Sequence, residues 1–146
     1  MLVATSSRAD TPLQIAQRQT AARAKPIGPF RGLGRAAIIQ SLHPANAANE
    51  ALIAQVREMG SRLGREAFVE QSMVVRDSDA ARLAEIQCPT LIIAAAQDQM
   101  RSPDEARELA QGLPGARLEV IEDSGHMIPL EQPDRLAAVI RGWLHD

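Results

Sequence analysis

Hydrophobic residues in the second half of the chain form short continuous runs separated by segments with helical spacing. "TLIIAAA" at residues 90–96 follows a proline and is apolar throughout, which is typical of a strand buried on both faces. "ARLEVIE" at residues 116–122 predicts a second strand. From Ile86 onward we therefore predict the order strand, helix, strand, helix, which indicates parallel strands with right-handed crossovers.

The two helices of this half have recognisable starts and faces. In "SPDEARELAQGLPG", Ser102 is expected to cap the helix, with Pro103 at its first position and Glu105 three residues after the cap. This helix is expected to stop at Gly112. The closing segment "QPDRLAAVIRGWL" places five apolar residues on one face, enough to cover a sheet: Leu136, Val139, Ile140, Trp143 and Leu144.

The first half reads differently. A short strand is expected at residues 2–5, and residues 10–85 have helical spacing almost throughout, with breaks at "KPIGP", "LHPAN" and "RDSD". Two apolar stripes stand out, and the simplest interpretation of both is packing of helix on helix rather than a dedicated ligand pocket. The first consists of Phe30, Leu33, Ala37 and Ile38, and the second of Leu52, Ile53, Val56, Met59 and Leu63.

Composition excludes several classes of partner. The 146 residues carry a net charge of -2, and the 16 basic residues are scattered, so we expect no nucleic acid partner. No apolar run is long enough to span a membrane, so no membrane partner is expected. The Arg- and Ser-rich start resembles a mitochondrial transit peptide in composition, but a buried strand followed by an ordinary helix explains the same residues and is the preferred interpretation. The single cysteine excludes an internal disulfide and favours a reducing, cytoplasmic location.

The dispersed histidines and the single thiol show no metal-ligand spacing, so neither a metal nor a cofactor is expected. His43, in "LHPAN", is interpreted as a turn residue between helices. His145 belongs to a terminus that is expected to fray. Cys88 precedes Pro89 at the entrance of a strand and is expected to be buried and inert.

Asp98 and His126 each lie just past the end of a predicted strand, at a sequence separation of 28. Because functional groups gather at the carboxyl edge of parallel sheets, the two side chains can come within hydrogen-bonding distance as an orienting acid and a general base. Each residue also has a simpler interpretation. Asp98 could bind backbone amides in its own loop, and His126 could be held by Glu122 or Asp123 without any chemistry.

These residues carry a resemblance to a known family. "CPTLIIAAAQDQMRSP" and "PGARLEVIEDSGHMIPLEQPDRLAAVIRGWL" resemble the C-terminal portion of α/β-hydrolases, where an acid follows one late strand and a histidine in a Gly-His step follows the next. The resemblance implies that Asp98 is the acid and His126 the base. It also implies a partial α/β-hydrolase fold of about three parallel strands with flanking helices. Residues 1–10 would be a strand and turn of the core, residues 11–85 a helical cap, and residues 86–146 the C-terminal part of the core.

The nucleophile of such enzymes lies on a strand-to-helix turn of form G-x-S-x-G that precedes the acid and the histidine. No such motif occurs in this chain. Ser61, in "MGSRLG", has glycines at the wrong offsets and lies within a helical pattern. Ser6 and Ser7 would stand at the correct sheet edge but lack the sharp turn. The resemblance therefore implies a chain that corresponds to the part of the fold after the nucleophile.

Two classes of function remain open, with a third less favoured. The first is a serine-type hydrolase of a small, apolar ester, lactone or similar acyl substrate, to which this chain contributes the cap and the late triad residues. The second is a non-catalytic remnant or interaction module of the same fold. A receiver-like or nucleotide-binding α/β domain is disfavoured because the sequence has neither a glycine-rich phosphate loop nor a cluster of acids after a first strand. Because the first strand would expose one edge, a homo-oligomer or a complementing N-terminal fragment is an expected partner.

Overall fold

The computed structural model describes residues 1–24 and 28–145, which form two compact units. The sheet unit comprises Met1–Arg8, Ile39–Ala48 and Asp79–Asp146, and the helical unit comprises Ala9–Ile38 and Asn49–Ser78. Two stretches of the predicted cap, Ile39–Ala48 and Asp79–Glu85, thus cluster with the sheet. None of the helices in the described part of the chain is long and apolar enough to cross a membrane.

The sheet consists of three parallel strands in the order β1-β2-β3. The bounds are Leu2–Val3 for β1, Leu91–Ala95 for β2 and Arg117–Ile121 for β3. All five residues of β2 are buried, because this strand has a neighbour on each side and a packed layer on each face. The predicted parallel strand-helix-strand-helix order is confirmed.

Alternate residues of β2 face two separate apolar clusters, as the two-residue period of a strand requires. One cluster is covered by helix α4 (Pro103–Gly112), and the other by helix α6 (Pro133–His145), whose Leu136, Val139, Ile140 and Trp143 pack against it. The prediction for Leu144 was wrong: it is 66% exposed, since it lies beyond the edge of the covered face near the end of α6. The first cluster has as its buried members Leu83, Ile92, Ala94, Ala106, Leu109 and Leu113, and the second Leu91, Ile93, Ala95, Ile121 and Ile128.

The helices of the sheet unit begin at local signals. Helix α4 spans Pro103–Gly112, with the side chain of Ser102 accepting from the amide of Glu105 and the side chain of Glu105 accepting from the amide of Ser102. The predicted start and stop of α4 are therefore confirmed. A short helix α5 spans Ile128–Glu131, and α6 spans Pro133–His145. Short 3₁₀ turns occupy Pro44–Asn46 and Ala80–Glu85.

Cys88 is exposed, so the prediction that it is buried was wrong. It lies in the connection before β2, where the chain has not yet entered the layers that cover the sheet. Burial begins at Thr90, whose hydroxyl donates to the carbonyl of Cys88 at 3.0 Å.

The helical unit holds α1 at Pro12–Arg23, most of α2 at Arg35–Ser41 and α3 at Glu50–Met73. The predicted stripe on α3 is only partly confirmed. Its first three residues are buried, whereas Met59 is 39% and Leu63 is 64% exposed. The next residue, Gly64, has a φ of 81°, which kinks the helix where the stripe ends.

The first predicted stripe was wrong in its helical part, because α2 begins only at Arg35. Gly32 precedes it with a φ of 76°, and Phe30 instead packs its ring against that of Phe68, with centroids 5.4 Å apart. Ile38 is fully buried, as expected. The predicted break at "KPIGP" lies partly outside the described residues.

A buried carboxylate joins the two ends of the helical unit. Asp10, whose side chain is 1% exposed, accepts from the guanidinium of Arg18 at 2.8 Å and from that of Arg76 at 2.7 Å. It also accepts from the backbone amide of Arg76 at 3.1 Å. The hydrogen bonds from Arg18 and Arg76 outweigh the effect of burial and hold the pKa of Asp10 well below its usual range.

Candidate active site

The structure brings Asp98 and His126 together at the carboxyl edge of the sheet. Asp98 follows β2 and His126 follows β3, so the parallel pairing of these strands carries both loops to the same side. Nδ1 of His126 lies 2.8 Å from Oδ2 of Asp98. The side chain of Asp98 is fully buried, whereas that of His126 is 27% exposed. A buried acid thus binds a partly accessible imidazole.

The second oxygen of Asp98 binds the backbone of its own loop. Oδ1 accepts from the amide of Met100 at 2.7 Å and from that of Arg101 at 2.9 Å. Burial raises the pKa of Asp98, but the hydrogen bonds from His126, Arg101 and Met100 outweigh it, so this pKa lies below its ordinary value. Asp98 is therefore both a turn residue and the partner of the imidazole, with one oxygen for each role.

The loop that carries His126 is fixed by backbone hydrogen bonds on both sides. Ser124, which is fully buried, accepts from the amide of Gln97 at 3.1 Å and donates its own amide to Oε1 of Gln97 at 3.2 Å. The amide of Met127 donates to the carbonyl of Ser41 at 3.2 Å. The partner of the His126 ring is Asp98, rather than the neighbouring acids that the sequence left open.

Gly125 allows this loop to lie directly against the backbone of another segment. A Cβ at this position would stand 2.4 Å from the carbonyl carbon of Leu42 and 2.6 Å from the amide nitrogen of His43. Any side chain would collide with main-chain atoms that cannot rotate away. The Gly-His step therefore has a steric cause, which the sequence alone does not reveal.

Glu131 is a site residue that the sequence analysis missed. Its Oε2 accepts from the amide of Gly125 at 2.8 Å, and its Oε1 accepts from the amide of His43 at 2.6 Å. Oε1 also accepts from the side-chain amide of Asn46 at 2.9 Å. The only sequence signal was an acid five residues after His126, at the start of "EQP", which reads as an ordinary helix residue.

The remaining histidines lie apart from this pair. His43 begins the 3₁₀ turn Pro44–Asn46, and its Nδ1 accepts from the amide of Ala45 at 3.1 Å, as expected of a turn residue. His145 is the last residue of α6. Within residues 1–24 and 28–145, no three His, Cys, Asp or Glu side chains are grouped so that they could hold a metal ion.

None of the candidate serines lies on a sharp turn from a strand into a helix, since β1 ends at Val3 and α1 begins only at Pro12. The hydroxyl of Ser6 accepts from the amide of Arg8 at 3.1 Å, and Ser61 lies within α3 of the helical unit. Ser6 and Ser7 line a cavity of about 550 Å³ beside β1. Neither Asp98 nor His126 lines this cavity, so it is not a pocket that the pair would serve.

Comparison with known proteins identifies the fold to which this edge belongs. The model of the alpha/beta hydrolase family matches residues 2–139, nearly the whole chain. The chain belongs to the alpha/beta hydrolase family.

Individual α/β-hydrolases agree with this assignment. The thermophilic esterase from Thermogutta terrifontis superposes with a TM-score of 0.84 at 29% identity over 99% of this chain. The enol-lactonase from Burkholderia xenovorans LB400 superposes with a TM-score of 0.83 over 99% of the chain, and at 21% identity this likeness concerns the fold alone. Rhodomycin D methylesterase DauP from Streptomyces sp. (strain C5) is 46% identical over 63 residues, which are 43% of this chain and 21% of that protein.

This α/β-hydrolase chain is shorter than its relatives. It spans 54% of the Thermogutta esterase and 55% of the Burkholderia enol-lactonase. The three-stranded sheet with its flanking helices is accordingly about half of the fold seen in those structures, as the partial fold expected from the sequence requires.

Proposed function

We propose that this chain supplies the acid and the base of a serine-type hydrolase that acts on a small, apolar ester or lactone. The observation that carries the proposal is the 2.8 Å contact between a fully buried Asp98 carboxylate and Nδ1 of His126. This arrangement holds a proton on Nδ1 and leaves Nε2 to accept one from a nucleophile. The ester part of the substrate class is supported by relatives named as an esterase and a methylesterase, and the lactone part is carried over from the resemblance seen in the sequence.

In the proposed reaction, Nε2 of His126 removes the proton of a serine hydroxyl while the serine oxygen bonds to the carbonyl carbon of the substrate. The bond to the leaving oxygen then breaks, and the imidazolium returns the proton to that oxygen. Water hydrolyses the acyl intermediate by the same proton transfers. Asp98 holds the tautomer and stabilises the imidazolium, whose positive charge forms beside a fully buried carboxylate.

The serine itself is proposed to lie on a segment outside these 146 residues, in the same protein or in a partner. No G-x-S-x-G turn occurs in the chain, and the hydroxyl of Ser6 is engaged by the amide of Arg8. We expect the chain alone to hydrolyse short aryl esters no faster than buffer. Saturable turnover by the chain alone that disappears in His126→Ala would contradict this placement of the nucleophile.

The alternative is a non-catalytic module that retains the pair without a nucleophile, and the missing serine turn is the observation in its favour. A chimaera separates the two. The part of the Thermogutta esterase that this chain does not cover is joined to the chain, and hydrolysis of a short aryl ester is measured. We expect saturable turnover that falls by roughly four orders of magnitude in Asp98→Asn, since an asparagine allows the wrong imidazole tautomer.

The chimaera carries matched controls. Asp134→Asn changes an exposed acid in the first turn of α6, and His145→Ala changes a histidine at its last residue. Both are expected to leave kcat unchanged. A folded chimaera without turnover would favour the non-catalytic module, and turnover indifferent to Asp98 and His126 would remove the assignment of both residues.

A further inference from the structure

We propose that Glu131 is a positioning residue for His126, acting through the backbone on both sides of the imidazole. The hydrogen bond to Asp98 sets the tautomer of the His126 ring. It also fixes the orientation of Nε2, but only if the backbone of His126 is held in place. The proposal rests on the proposed function for its catalytic meaning, whereas the geometry it describes exists in the chain by itself.

The first contact runs from Glu131 to the residue before the imidazole. Helix α5 is a single turn, so its last residue can reach back to the loop from which the helix starts. Oε2 of Glu131 accepts the amide of Gly125 at 2.8 Å. Hydrogen bonds to a carboxylate are about twice as strong as those between neutral groups, so this bond restrains the peptide that leads into His126.

The second contact acts on the residue after the imidazole. The amide of Met127 donates to the carbonyl of Ser41, so its position depends on where residues 41–46 lie. Oε1 of Glu131 holds this same segment through the amide of His43 at 2.6 Å and the side chain of Asn46 at 2.9 Å. One carboxylate therefore fixes both backbone supports of His126.

Three donors converge on Glu131, which makes the carboxylate hard to replace. Glutamine has the same shape but only one oxygen, and its NH₂ group is a donor. In either orientation, the amide of Glu131→Gln would face an N–H of Gly125, His43 or Asn46. The variant keeps the packing of Glu131 and loses at least one support of the loop.

The test reads the imidazole directly. The full chain is labelled with ¹⁵N-histidine, and the ring nitrogen shifts are recorded at rising pH until they no longer change, so that the tautomer of each ring is observed. In the wild type, His126 is expected to carry its proton on Nδ1, towards Asp98, and His43 on Nε2, because its Nδ1 accepts from Ala45. In Glu131→Gln, we expect His126 to acquire a second tautomer with the proton on Nε2.

The matched control is Glu108→Gln. Glu108 is an exposed glutamate whose side chain binds that of Arg8, and its substitution is expected to leave His126 unchanged. If Glu131→Gln does not fold, Asn46→Ala is measured instead, because it removes one donor to Glu131 and keeps the carboxylate. A smaller increase of the His126 tautomer protonated on Nε2 would then support the proposal. An unchanged His126 tautomer in the folded variants, with or without a change at His43, would overturn it.

A second arm uses the active chimaera. Glu131→Gln is expected to lower kcat roughly tenfold and to change KM by less than about twofold. The loss of kcat should be smaller than the roughly hundredfold loss that a displacement of about 1 Å can cause, because part of the support of the loop remains. A parallel rise in KM with unchanged kcat would contradict positioning. If the unsubstituted chimaera is inactive, the proposed function fails, while the tautomer measurement still decides the role of Glu131.

Discussion

Replacing Gly125 by alanine is expected to push the loop that carries His126 away from the segment behind it. The added Cβ would lie 2.4 Å from the carbonyl carbon of Leu42, whereas ordinary contact begins at 3.4 Å. It would also lie 2.6 Å from the amide of His43 and 2.9 Å from the carbonyl oxygen of Leu42. All three are main-chain atoms, so the loop must move by about 1 Å along the direction of the collision.

Two consequences of this displacement can be estimated. Forcing an extra methyl group into a packed interior costs about 1–3 kcal/mol, so the free energy of unfolding should fall by that amount. A shift of about 1 Å at a catalytic group can cost about a hundredfold in rate. We therefore expect the chimaera that carries Gly125→Ala to retain about one hundredth of its kcat.

Gly142→Ala provides a matched control. This glycine lies within α6, and a Cβ there would meet nothing within 4 Å. Both changes reduce the entropy of the unfolded chain equally, so the difference between them reports the native contact. Since alanine favours helix, Gly142→Ala should raise the free energy of unfolding by about 0.5–1 kcal/mol.

The assay is urea denaturation followed by circular dichroism, together with kcat of the chimaera. A stability of Gly125→Ala within about 0.5 kcal/mol of the wild type, with undiminished kcat, would refute the steric account. That result would mean that the backbone of residues 41–43 can move to make room for the added methyl group, so that its close approach to Gly125 does not constrain His126.

Three further predictions concern the stability and association of the chain. Asp10→Asn should lower the free energy of unfolding by about 2 kcal/mol at pH 7, because it weakens bonds to two partly exposed arginines. Since the pKa of Asp10 is lowered in the folded state, the difference from wild type should shrink as the pH falls below about 4. A difference that stays constant in acid denaturation would contradict this. Ser102→Ala should cost about 1 kcal/mol in thermal or urea melts by removing the cap of α4, and an unchanged midpoint would show that the capping box contributes nothing. The chain should self-associate with rising concentration and bind a hydrophobic dye, because β1 has a single partner in the described sheet; a monodisperse monomer at high concentration in light scattering would count against an exposed edge.

Local sequence determined the elements whose causes are local. The run at residues 90–96 had to be a buried strand because nothing in it can face water, and Ser102, Pro103 and Glu105 determined the start of α4 through contacts within four residues. The order of strands and helices then placed Asp98 and His126 at one edge, since parallel strands end on the same side. The sequence left open whether Asp98 binds His126 or the backbone amides of its own loop. In the structure it does both, with one oxygen on Nδ1 of His126 and the other on the amide of Met100.

Tertiary structure decided what depends on contacts between distant segments. Periodicity predicted that Leu63 is buried, but a helix stripe is buried only where another element covers it, and this residue is 64% exposed. Gly125 is required because Leu42 lies behind it, 83 residues earlier in the chain. Glu131 acquires its role from an amide 88 residues away at His43, a distance over which no local pattern carries information. The candidate base was therefore predictable from its own strand and loop, while its support came from a segment that only folding brings beside it.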